Sequence, residues 1–341
     1  MGGEPSEGGE APAANRALEL RPPERKAPRP VDAPTTGISR MRVQVSGGAG
    51  LVGRYIVNGL LGAGHEVVVG GRTAPPPDWF VNPVPFVPLS LDPDLDQRGA
   101  FAGIDAFVHA AFDHLPGRYR GGEGGDPERF RRLNLHASTH LFEQAKAAGV
   151  RRTIFLSSRA VYDGIPPGQK LDENAFLSPT SLYGQVKLEA ERALARLEGP
   201  GFVTSSLRLT GVYGELRPNK WDDLIADYLA GRPVFLRAGS EVHGQDVAQA
   251  VRLMIESDAN LVRGAFNISD IVTDTRTILE PVQRIAGSIH PLPREAETAQ
   301  VAVMSTDRIR SLGWEPGGFA LLAATAEKLA RGHLRPNATA S

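Results

Sequence analysis

The sequence predicts an α/β fold, a doubly wound parallel sheet with a smaller C-terminal lobe. Three observations carry that reading. From Met41 onward, short apolar runs alternate with amphipathic stretches. A glycine-rich turn separates the first apolar run from the first helical stretch. After Leu209 the alternation turns irregular.

Taken in order, Met41–Val45 reads as a buried strand, followed by glycines and a helix from Leu51 to about Leu61 that Gly64 ends. His65–Val69 begins the second strand, and further apolar runs follow at Val84–Leu91, Ile104–Ala111, Thr153–Ser157 and Phe202–Leu209. A helical pattern from Phe130 to Ala148 closes at Gly149. Helices of this length between strands imply βαβ units. Beyond Leu209, helices are expected near Trp221–Ala230, Asp246–Glu256, Asp274–Ile285 and Phe319–Arg331. The domain reading is therefore a doubly wound parallel-sheet domain over 41–210 and, over 211–335, mainly a second lobe interleaved with its sheet.

The first forty residues differ. They carry seven prolines and five glycines with few β-branched or aromatic side chains, so 1–40 is expected to be a disordered extension. It lacks the apolar stretch of a secretory signal, and its glutamates argue against a transit peptide. Met41, just before the first strand, is a candidate for the true start. A net charge of −1 provides no field for nucleic acid or an anionic membrane, and no apolar run is long enough to span a bilayer. The absence of cysteine excludes disulfides, thiolate metal sites and a cysteine nucleophile, and fits a cytoplasmic location; no metal site is expected.

Gly47-Gly48-Ala49-Gly50-Leu51-Val52-Gly53 follows a strand and opens a helix. Glycine is needed there for the tight turn, for close approach of backbone to a pyrophosphate, and for helix–strand packing. The helix amides then hold the phosphates. This is the signature of a Rossmann domain binding a nicotinamide dinucleotide, with Gly47, Gly50, Leu51, Val52 and Gly53 as cofactor contacts. The second strand ends Val69-Gly70-Gly71-Arg72-Thr73, with an arginine and no carboxylate. An acid there would bind the NAD ribose, whereas an arginine accommodates the 2′-phosphate, so NADP is favoured over NAD through Arg72. Asp92 either contacts the adenine amino group or only begins the turn Asp92-Pro93.

Tyr183 and Lys187 stand at i and i+4, on one helix face. A phenol is a poor base at neutral pH, but a nearby ammonium favours the phenolate. Tyr183 can then remove a proton from a hydroxyl whose carbon loses hydride. Thr153–Ser158 ends in hydroxyls at the carboxyl end of a strand, the edge where α/β sheets bind ligands, and Ser158 there can hold the substrate oxygen.

These motifs together resemble the extended short-chain dehydrogenase/reductases, the NAD(P)-dependent epimerase/dehydratase family. The resemblance runs in order through Ser46–Gly53, Val108-His109-Ala110-Ala111, Asn134, Leu156–Tyr162, Tyr183-x-x-x-Lys187, Arg208-x-x-x-Val212-Tyr213-Gly214, Val242–Ala248 and Leu312–Pro316, spanning about 41–316. It implies Ser158, Tyr183 and Lys187 as a catalytic triad, Asn134 as an auxiliary residue, and Lys187 as a contact to the nicotinamide ribose. His109, Ala110 and Ala111 would line the adenine side of the cofactor. Ser46, Asp163 and Leu209 depart from the commoner threonine, glycine and proline. They bear on loops around the substrate more than on the triad.

The region expected to close over substrate supplies Arg208, Lys220, Trp221, Arg232, Arg237 and His243, and arginine suits a diphosphate. Of these, Arg208, Lys220, Trp221 and Arg237 are the substrate-binding candidates beside Ser158. His243 reads rather as a packed or loop histidine, and Asp246 as the cap of a helix beginning at Val247. Short segments before Tyr183 and His243 argue against the bulkiest nucleotide-sugars, and Gly117–Gly125 reads as a loop over the site. The expected function is an NAD(P)-dependent oxidoreductase or epimerase acting on a secondary hydroxyl of a sugar or nucleotide-sugar. Alternatives are an NADP-dependent reductase of a small carbonyl compound and, with the triad intact, the weaker reading of a non-catalytic NADP-binding redox sensor. A dehydratase is disfavoured because Arg159-Ala160 replaces its Asp-Glu pair. A homodimer is left open.

Overall fold

The computed structural model describes residues 40–115 and 124–334. The expected extension, apart from Arg40, and most of the Gly117–Gly125 loop lie outside these residues. In chain order the elements are β1 (Arg42–Ser46), α1 (Leu51–Gly62), β2 (Glu66–Gly71), β3 (Phe86–Pro88), β4 (Ala106–His109), α2 (Pro127–Arg131) and α3 (Ala137–Ala147). There follow β5 (Arg152–Ser158), α4 (Leu182–Arg196), β6 (Val203–Leu209), β7 (Gly211–Tyr213), α5 (Asp222–Leu229), β8 (Ala238–His243) and α6 (Gly244–Glu256). The last are β9 (Gly264–Ile268), β10 (Ile271–Asp274), α7 (Thr275–Ala286), α8 (Asp307–Arg310) and α9 (Gly318–Leu334).

Seven parallel strands form one sheet in the order β3-β2-β1-β4-β5-β6-β9. The order reverses between β1 and β4, so the glycine turn after β1 opens at the topological switch point, where such sheets bind nucleotides. Side chains alternate across the sheet. Val43, Val45, Val108, Ile154 and Leu156 pack with Ile56 and Leu60 of α1 and Val247 and Val251 of α6. Phe107 and Phe155 face the other way, onto Leu141 and Phe142 of α3 and Val186 and Ala190 of α4. Burial on both faces is why these strands read as apolar runs rather than alternating ones.

The C-terminal residues contribute to both halves. They supply α6 and β9 to the large sheet and a second sheet, β10-β8-β7, whose core joins Tyr213, Trp221 and Ile225 to Ile278, Leu279 and Leu322. The halves interlock at Tyr55 of α1. Its hydroxyl donates to Glu215 Oε2 (2.9 Å) and accepts from the Leu216 amide (3.0 Å), and its ring lies where a Cβ at Gly214 or Gly244 would stand, 2.1 and 2.2 Å from its atoms.

Two sequence expectations are corrected. The helix expected over 130–148 is interrupted by a π-turn at Arg132–His136, in which the Ser138 hydroxyl donates to the Asn134 carbonyl (2.7 Å). The helix expected from Val247 starts at Gly244, because His243 Nδ1 accepts from the Gln245 amide as its cap. Asp246 instead accepts from the Gly317 amide.

Candidate active site

The turn between β1 and α1 is shaped by what glycine lacks. Gly47 adopts φ +68°, and a Cβ there would lie 2.7 Å from the Ala111 amide. A Cβ on Gly53 would lie 2.2 Å from the Gly47 carbonyl. Both positions hold the backbone of the turn closer to its neighbours than a side chain permits. No side chain caps α1, so its first-turn amides at Leu51, Val52 and Gly53 face outward with the positive end of the helix dipole. This cradle fits a dinucleotide pyrophosphate.

Beneath the turn, His109 is fully buried and does not line the surface, correcting the expectation for it. Its Nδ1 lies 2.7 Å from Ser46 Oγ and its Nε2 2.9 Å from Ser138 Oγ. Since Ser138 donates onward to Asn134, Nε2–H must donate to Ser138 and Nδ1 accept from Ser46. The ring is therefore neutral, and burial pushes its pKa down to about 3. Ser46 Oγ accepts from the Ala111 amide (3.4 Å), tying the turn to β4's end. Ala110 and Ala111 remain partly exposed there.

Arg72 is exposed immediately after β2. Asp92 does not end a strand, since β3 stops at Pro88. Its Oδ1 accepts from the Asp94 amide (3.1 Å), closing the turn that begins at Asp92, and from Arg132 Nη2 (3.1 Å).

At the carboxyl edge of β5, Ser158 Oγ accepts from the Ala160 amide (3.2 Å), which leaves its hydroxyl hydrogen to donate. Tyr183 and Lys187 occupy the face of α4 packed on β5. Lys187 Nζ donates to the Leu156 carbonyl (2.8 Å) and lies 6.0 Å from the Tyr183 ring centroid. Burial pulls its pKa down to about 7, and Glu191 opposes the fall. Asn134 is committed to backbone: Oδ1 accepts from the Asp113 amide (2.7 Å), and Nδ2 donates to the Asp113 carbonyl (2.9 Å) and to Phe130 (3.1 Å). It thereby fixes the segment leaving β4 beside Tyr183.

The expected substrate residues do not converge as free cations. Arg208 is buried, its Nη2 2.8 Å from Glu191 Oε2 and its Nη1 donating to the Tyr162 hydroxyl at 2.7 Å. Trp221 is buried and stacks on Tyr213 with centroids 5.1 Å apart. Lys220 pairs with the buried carboxylate of Glu241, which sits over Gly211, where a Cβ would meet it at 2.5 Å. Arg232 is tied to Asp227 (2.6 Å). Arg237 is mostly exposed, 3.6 Å from Glu241. Sequence reasoning missed Glu191, Glu241 and Phe112. Glu191 had a signal, since Tyr183, Lys187 and Glu191 continue the i, i+4, i+8 spacing. Glu241 had none, because its partner comes from another element.

Comparison with known proteins agrees with this geometry. Residues 43–269 match the model of the NAD dependent epimerase/dehydratase family. The UDP-glucose 4-epimerase of Corynebacterium glutamicum is 25% identical over 311 residues, covering 81% of this chain and 91% of its own. The 3-beta-hydroxysteroid dehydrogenase of Mycolicibacterium neoaurum is 30% identical over 217 residues, 58% of this chain and 55% of its own. The crystal structure of the Thermus thermophilus UDP-glucose 4-epimerase in complex with NAD superposes with a TM-score of 0.69 at 27% identity, covering 86% of this chain and all of that one. With a family model matching residues 43–269, well over half of its length, this chain is an enzyme of the NAD-dependent epimerase/dehydratase family.

Proposed function

We propose that the chain is an NAD(P)-dependent oxidoreductase or epimerase acting on a secondary hydroxyl of a sugar or nucleotide-sugar, with Ser158, Tyr183 and Lys187 as its catalytic residues. The observation that carries this is the anchoring of Lys187, one turn from Tyr183 on α4, to the Leu156 carbonyl at 2.8 Å, near the carboxyl end of β5 where Ser158 stands. The Ser158 hydroxyl donates to the substrate oxygen and steadies its developing charge. Tyr183 takes the hydroxyl proton and, in the return direction, gives it back. The Lys187 ammonium favours the phenolate through its positive charge, and its remaining N–H groups suit the cofactor's ribose hydroxyls. A bound nicotinamide would supply the hydride acceptor and donor. Gly47, Gly50, Leu51, Val52 and Gly53 would hold the pyrophosphate, with Ala110 and Ala111 flooring it. Residues 41–210 then form the cofactor domain and 211–335 mainly the substrate lobe.

The nucleotide-sugar reading draws on the relatives named UDP-glucose 4-epimerase and on a structure of MoeE5 in complex with UDP-glucose and NAD (27% identity, TM-score 0.69, 86% of this chain and 99% of that one). A second reading, reduction of a small carbonyl compound, is favoured by the ion pairs that occupy Arg208 and Lys220. Those two cations are committed to carboxylates of the fold rather than offered to a diphosphate. Tyr183→Phe should lower turnover by about 10²–10⁴-fold while leaving cofactor affinity within about twofold. Retained turnover would remove Tyr183 from the mechanism. Preference for NADP rests on Arg72, whereas the solved relatives named above hold NAD. Arg72→Ala should weaken NADP binding by about tenfold more than NAD binding, read by fluorescence titration; equal losses would sink that preference.

A further inference from the structure

Phe112 follows the end of β4 and packs partly buried against the core beside the candidate site. The Lys187 ammonium lies over its ring, 4.4 Å from the centroid, and over the Phe155 ring at 4.7 Å. The Tyr183 ring meets Phe112 nearly perpendicularly, with centroids 5.3 Å apart. Phe130 of α2 braces it in the same way at 5.6 Å. Its successor, Asp113, is clamped at both backbone polar groups by Asn134. The ring is therefore fixed in place, and it touches both members of the pair that Tyr183 and Lys187 form.

We propose that Phe112 is a positioning residue of the catalytic site: its ring, together with that of Phe155, seats the Lys187 ammonium on aromatic faces and sets that charge against Tyr183. This rests on the functional reading above, which makes the charge on Lys187 matter. The chemistry is a desolvated cation–π contact, in which the negative ring face replaces part of the hydration the buried ammonium has lost. A carbonyl satisfies one N–H of Lys187, and the two rings adjoin the charge. Phe112 thus offsets the burial that pulls Lys187 down to about 7. Among the described residues, the other charged or titratable groups facing Lys187 are Tyr183 and Glu191 on its own helix and His109 on β4. Glu191 opposes the fall. His109 is neutral and adds no charge.

The test uses full-length protein with lysines labelled at 13Cε, the Lys187 resonance being the one lost in Lys187→Met. In Phe112→Leu, its titration midpoint should fall by about one pH unit, a tenfold drop in the protonation constant. Phe112→Trp, which keeps a ring face, should restore it. The alkaline limb of the kcat profile should move by the same amount, with the KM for cofactor changing by less than about threefold. A midpoint unchanged in Phe112→Leu, with the variant shown folded by its melting curve, overturns the proposal. A midpoint that falls while the kcat profile stays put upholds the contact and overturns instead the catalytic assignment of Lys187.

Discussion

The glycine turn and the C-terminal lobe handle polar chemistry in opposite ways. At the turn, side chains are absent where the backbone must come close, and amides are left facing outward for a ligand. In the lobe and the sheet edge beneath it, long charged side chains are present but mostly answered from within, Lys220 by Glu241 and Arg208 by Glu191. The first region is built to be completed by something else. The second has largely completed itself, and an arginine in the sequence there says little about what the molecule binds.

Three experiments test that contrast, in descending size. Glu191→Ala leaves Arg208 as an unpaired buried cation and should destabilise the fold by about 3–5 kcal/mol in urea unfolding. A loss below about 1 kcal/mol would mean that Arg208 is free to turn outward, restoring it as a substrate residue. On α1, Gly53→Ala forces a Cβ against the Gly47 carbonyl and should cost about 1–3 kcal/mol together with cofactor affinity. Gly62→Ala, at the open end of the same helix, should instead be neutral or stabilising by up to about 1 kcal/mol. Equal losses at both sites would refute the role of close approach.

The third concerns His109. An unfolded chain takes up a proton there near pH 6.5, whereas the native ring does so only near 3. Between those values the unfolded state binds more protons, so stability is full above 6.5 and falls with acidification by up to about 1.4 kcal/mol per pH unit. His109→Phe should flatten that part of the slope between pH 6.5 and 5. An identical slope in both proteins would mean that the native ring takes up its proton at ordinary pH.

Much of the cofactor half was legible because its constraints are local. The spacing of Gly47, Gly50 and Gly53 follows from backbone geometry within one turn, and Tyr183 and Lys187 meet because a helix repeats every 3.6 residues. The start of α6 was misread because Asp246 has the look of a helix cap, whereas His243 caps the helix and Asp246 engages Gly317 from far along the chain. His109 was misplaced for a related reason. An apolar strand with a polar residue at its end reads alike whether that residue faces a ligand or a pair of buried hydroxyls. Trp221 and Arg208 show the limit most plainly, because packing partners in another element decide whether such a side chain meets solvent or core.

The ring of Tyr55 gives the molecule a mechanical property. It grows from the helix that the glycine turn opens, and it fills a slot left by Gly214 and Gly244 in the C-terminal half. The spacing between those halves is thus gauged by one phenol and two missing methyl groups. A side chain added at either glycine must displace that phenol, and with it the hydrogen bonds to Glu215 and Leu216 that hold the two halves in register.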